Sequence, residues 1–143
     1  MTQWKSVLML LFVSTSVFAQ SLPSKQRSKK EKVLALIDSS TIQYPKVAKK
    51  IFLAETAHGK SKLFKQHANC FGFRINSRKL HSKNVRGYCG YSSIPQSIED
   101  YRRWEAVVVS RFNLNTRDKF LRFVARTYAK NDRYLKLLNG IQI

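Results

Sequence analysis

The stretch from Tyr44 to Ser61 constrains this chain most, because it puts a single carboxylate on an otherwise apolar helix face. Tyr44, Val47, Ala48, Ile51 and Glu55 recur at spacings of three and four, which is one side of a helix. Pro45 suits the first helical turn and Gly59 supplies the stop. Glu55 therefore falls in the last turn, toward the core. Burial and the negative end of the helix dipole both disfavour its charged form and raise its pKa, as a general acid requires. Lys60 and Lys62 act in the opposite sense. The chain has only 8 Asp plus Glu against 27 Lys plus Arg, so a carboxylate directed inward is conspicuous. A Glu that merely reaches solvent at a helix end is the competing reading, and the residues downstream decide between the two.

The opening residues point to export. Lys5 is followed by a short apolar run from Val7 to Val13, and Val17-Phe18-Ala19 carries small residues where a signal peptidase reads. Residues 1–19 are expected to be a signal peptide cut after Ala19, giving a periplasmic or secreted protein. Ser14, Thr15 and Ser16 interrupt the run too early for a stable membrane span, and no later segment offers one. What remains is one domain's length, expected to act as a monomer. Its formal charge of +19, of which the signal peptide carries only Lys5, calls for a polyanionic partner. For an exported protein, anionic envelope polymers fit that role better than nucleic acid. In an oxidising compartment Cys70 and Cys89 are expected to form a disulfide. Two Cys and three scattered histidines, His58, His67 and His81, make no metal site, and no cofactor is implied.

Periodicity divides the chain into a flexible basic leader at 20–31 and a mainly α (α+β) domain at 32–143. Helices are expected at 32–38, 45–57 and 61–66. Residues 71–91 differ in texture, with three of the five glycines, five cations and no acid, and read as a β-hairpin or two-armed loop. Ser93-Ile94-Pro95-Gln96 is a capping box that restarts helix. Asn115-Thr116-Arg117-Asp118 and Asn131-Asp132 start two more, the last ended by Gly140.

Five blocks now stand in order. They are Leu53-Ala54-Glu55-Thr56-Ala57-His58-Gly59-Lys60-Ser61, Asn69-Cys70-Phe71-Gly72-Phe73, Gly90-Tyr91, Gln96-Ser97-Ile98-Glu99-Asp100-Tyr101, and Thr127-Tyr128-Ala129-Lys130-Asn131-Asp132-Arg133-Tyr134. From Tyr44 to Ile141 their order and spacing resemble the glucosaminidase domain of glycoside hydrolase family 73, which cleaves the glycan of peptidoglycan. The resemblance implies a lysozyme-like helical fold with a small β-hairpin lobe across a groove. It implies Glu55 as the general acid and Tyr128 as a second catalytic residue facing the cleft. Asn69, Phe71, Gly72, Tyr91 and Tyr101 are the implied substrate-binding residues.

Two departures from the family pattern matter. The acidic residue often found on the hairpin lobe has no counterpart between Phe71 and Tyr91, and Cys70 replaces the usual leucine. Glycosidases normally use two carboxylates. A single one here implies that the substrate's acetamido group, or a water oriented by Tyr128, completes the reaction. The expected function is that of a peptidoglycan hydrolase, an endo-β-N-acetylglucosaminidase acting on glycan strands. A muramidase or lytic transglycosylase on the same frame is one alternative. A non-catalytic cationic protein that binds cell wall is the other.

Overall fold

The computed structural model describes residues 27–75, 80–129 and 132–143. The expected signal peptide lies outside the described residues, as do Arg78 and Lys79 of the hairpin arm. Ser28 opens helix α1 (Lys29–Ser39) with a reciprocal capping box: its hydroxyl accepts from the Glu31 amide, and the Glu31 carboxylate accepts from the Ser28 amide. That box draws the end of the expected leader into helix. Next come α2 (Pro45–Glu55), α3 (Lys62–His67), strands β1 (Lys83–Val85) and β2 (Tyr88–Gly90), α4 (Ile94–Arg111), α5 (Arg117–Ala129) and α6 (Asp132–Gly140). The molecule is mainly α with one small antiparallel hairpin, as the sequence pattern implies.

Helix α2 touches both α1 and α6, α1 also touches α4, and α5 packs on α6. Val47, Ala48, Ile51 and Phe52 of α2 are buried with Val33 and Ile37 of α1, Phe120 and Val124 of α5 and Leu138 of α6. The entrance to α2 is fixed from a distance. Tyr44, its N-cap, makes no side-chain cap of its own. Instead the buried Glu105 carboxylate on α4 accepts from the Gln43 amide (2.6 Å) and the Tyr44 amide (3.2 Å). The Tyr44 ring stacks on Phe120, and its hydroxyl donates to the Leu114 carbonyl at 2.6 Å. Burial raises the Glu105 pKa, and the two amides oppose that rise.

The hairpin pairs Lys83 with Gly90, Asn84 with Cys89 and Val85 with Tyr88. Its two-residue turn, Arg86-Gly87, has positive φ at both positions (52° and 85°), the type I′ geometry. The Cys89 amide donates to the Phe73 carbonyl, and the Tyr91 amide to the His67 carbonyl, so the hairpin is tied both to the 69–73 turn and to α3.

Cys70 and Cys89 do not form the expected disulfide; both are buried, reduced thiols. Their sulfurs turn toward different carbonyls, Cys70 Sγ to Ala68 (3.6 Å) and Cys89 Sγ to Arg74 (3.3 Å). Burial pushes the Cys70 thiol up to about 12, which keeps it un-ionised and inert.

Two outcomes follow from these contacts. Glu105→Ala removes the acceptor of two part-buried amides and should cost about 1–3 kcal/mol of unfolding free energy in urea melts, by the usual penalty for orphaned polar groups. A thiol reagent should titrate both cysteines in unfolded protein without added reductant and neither in folded protein; a sample silent in both conditions would restore the bridge.

Candidate active site

Glu55 is the last residue of α2, and the backbone beyond it is knotted around Thr56. The buried Thr56 hydroxyl donates to the Phe52 carbonyl (2.6 Å) and accepts from the Gly59 amide (2.9 Å). The Thr56 carbonyl accepts from the Lys60 and Ser61 amides. Between them Ala57 and His58 hold φ of 47° and 55°, a left-handed conformation that costs about 1–3 kcal/mol at a non-glycine residue. The surrounding hydrogen bonds over-determine this turn, so Glu55 is presented from a rigid helix end.

Three elements converge on its carboxylate. Tyr134, in the first turn of α6, donates its hydroxyl to Glu55 Oε1 at 2.5 Å. Gly72 lies against the other oxygen: a Cβ there would overlap Oε2 and sit 3.2 Å from Cδ. Gly72 also has φ of 65°, so close approach and backbone conformation both demand glycine. The Tyr128 ring stacks parallel on Tyr134, with centroids 5.6 Å apart, and its hydroxyl donates to the Phe71 carbonyl at 3.0 Å. Burial raises the Glu55 pKa, and the Tyr134 hydrogen bond partly offsets it. Tyr134 is pushed up in turn by burial and by the neighbouring carboxylate, so it stays a donor.

Glu55 and Gly72 sit at the junction of two cavities that form one groove. The first, about 310 Å³, is walled by Phe73, Tyr88, Trp104 and Tyr128. The second, about 640 Å³, runs along α3 and the hairpin tip past Lys62, His67 and Arg86. Among the described residues Glu55 is the acid that lines either cavity. The other buried acids are committed elsewhere: Glu105 to the entrance of α2, and Asp100 to the Tyr91 hydroxyl at 2.7 Å. Among the described residues no three His, Cys, Asp or Glu side chains converge as a metal site requires.

The sequence-derived site divides into groove and support. Glu55, Gly72 and Tyr128 line the groove. Phe71, Tyr91 and Tyr101, expected to bind substrate, are buried in the core behind the groove wall. The Tyr101 ring stacks on Phe71 with centroids 4.2 Å apart and packs against Trp104. Asn69 is 1% exposed and works as a knot. Its Nδ2 donates to the Phe73 and Cys89 carbonyls, and its Oδ1 accepts from the Phe71 and Phe73 amides. These residues shape the wall that Gly72 presents. Tyr134, absent from the expected site, is the side chain that reaches the acid. Its spacing of four from Leu138, a buried residue of α6, was the available signal.

Comparison with protein-family models, curated proteins and solved structures finds no match to this chain.

Tyr134→Phe removes the one hydrogen bond that lowers the Glu55 pKa. Carbon-13 NMR titration of the Glu55 carboxyl should therefore show a midpoint higher than in wild type. An unchanged or lower midpoint would break the link between the two residues.

Proposed function

We propose that this chain is an exported hydrolase of peptidoglycan glycan strands, with a lysozyme-like frame and Glu55 as its general acid. The observation that carries this reading is the placement of Glu55: one half-buried carboxyl that lines both cavities of the groove. A raised pKa keeps the proton on the acid at pH values where an exposed Glu has lost it. Oε1 is occupied by the Tyr134 hydroxyl, so the proton resides on Oε2, beside Gly72. From there it passes to the glycosidic oxygen as the bond to the anomeric carbon breaks.

Among the described residues no second carboxylate lines the groove. The positive charge that develops at the anomeric carbon must then be met from within the substrate, by the acetamido oxygen of an N-acetylated sugar, or by water. Both sugars of the strand carry that group, so its assistance is compatible with cleavage after N-acetylglucosamine, the linkage we propose. The same lone acid suits a second reading, lytic transglycosylation, in which a hydroxyl of the sugar itself attacks and no water needs activation. Tyr134 acts as a positioning residue in both. The apolar run and cleavage signature at 1–19 support export to the envelope.

Glu55→Gln should abolish clearing of purified cell-wall sacculi in a zymogram while the protein stays folded. The wild-type rate should hold above the ordinary carboxylate range and fall as pH rises through the raised Glu55 pKa, because the active form is the protonated one. Mass spectrometry of the products separates the two readings, since a transglycosylase product is lighter by one water. Wild-type protein that binds sacculi but never clears them would place the chain among non-catalytic wall-binding proteins.

A further inference from the structure

The two arms of the groove differ in chemistry, and the difference has a direction. On one side of Glu55 the walls are aromatic, with Phe73, Trp104 and Tyr128, and Tyr88 is shared by both cavities. The cation on that side, Arg74, is already engaged, its guanidinium 4.7 Å over the Tyr88 ring and donating to the Tyr88 hydroxyl at 3.1 Å. On the other side Lys62 from α3 and Arg86 from the hairpin tip line one cavity. Both are exposed, and among the described residues neither has an acidic partner. The Nδ1 of His67, in the same wall, is buried without a hydrogen-bond partner.

Arg86 carries a second signal. It occupies the first central position of the type I′ turn with φ of 52°. Asn, Asp or Gly suits that position, and a long side chain is strained there. Strained backbone of this kind concentrates at functional sites. Here it puts a guanidinium at the mouth of the α3 arm.

We infer that the groove reads the polarity of its glycan: Lys62 and Arg86 hold the carboxylate of an acidic sugar in the α3 arm, while an uncharged sugar stacks on the aromatic arm across Glu55. This rests on the proposed action on peptidoglycan and applies to strands freed of their stem peptides, which alternate a sugar with a free lactyl carboxylate and a neutral one. A planar carboxylate matches the fork of an arginine, with the lysine as a point charge beside it. An aromatic wall suits the apolar face of a pyranose ring. With both arms filled, only one of the two alternating linkages can lie over Glu55.

The test uses binding, so that it stands apart from turnover. The probes are peptide-free glycan strands and the same strands with their carboxylates converted to neutral amides. Calorimetry with the Glu55→Gln protein should show the carboxylate strand binding about tenfold tighter, a difference of about 1.4 kcal/mol, and added salt should shrink that preference. Arg86→Asn and Lys62→Gln, each in the Glu55→Gln background, should each cut the preference severalfold. Arg86→Asn should melt no lower than its parent, because Asn suits the turn, and this separates lost recognition from lost folding. A parent protein that binds both strands equally, or binds neither, overturns the inference, as does a preference that survives both substitutions. Failure of wild-type protein to cleave either strand would count against the cleavage reading, while the binding preference would still decide this one.

Discussion

A carboxylate buried on α4 decides where α2 begins. Glu105 takes up the amides of Gln43 and Tyr44, groups that no local cap satisfies. Helix ends leave such donors unpaired, and a buried end must find partners. At the far end, Thr56 closes the helix with its hydroxyl and its carbonyl together. With both ends fixed, and its sides packed on α1 and α6, α2 has little freedom to slide. The position of Glu55 over the groove follows from these two anchors.

The opposite wall depends on a different polar group. Asn69 spends its amide on two carbonyls and its carbonyl on two amides. That single side chain folds the 69–73 turn and joins it to β2, and the turn then delivers Gly72 to Glu55. The Tyr128 hydroxyl on the Phe71 carbonyl secures the turn from the α5 side. Buried polar networks of this sort fix one geometry when every member is satisfied. Both walls of the groove are thus set by buried hydrogen bonds, and the apolar core supplies the bulk of the packing behind them.

Much of this was legible in the sequence, for reasons that also explain what was not. The span of α2, the hairpin and the restart of helix at Ser93 follow from periodicity and from Pro, Gly and Ser at fixed offsets, which are local signals. The inward placement of Glu55 follows from the same spacing rule. That rule applies equally to Glu105, which continues the buried face of Tyr101 and Val108, while Arg102 pairs with Glu99. Tyr91 and Tyr101 look like groove aromatics because a motif names residue types and not the direction a ring points. The cysteine pair was inferred from compartment alone, and compartment says nothing of whether two sulfurs face each other. Tyr134 sits close in sequence to Tyr128, and helical spacing alone does not say which of the two hydroxyls reaches Glu55.

The span of the Tyr134–Glu55 hydrogen bond, 79 residues, bears on when this protein becomes competent. The acid belongs to the first helices made, and its partner to the last. Contacts so distant along the chain form late, after the loop between them has been closed. A partly folded chain would have α2 without the burial that raises the Glu55 pKa, an effect the Tyr134 hydrogen bond only partly offsets. Maturation of the acid is therefore tied to docking of the C-terminal helix. On the proposed function, that order delays the glycan-cleaving state until the C-terminal helix has docked.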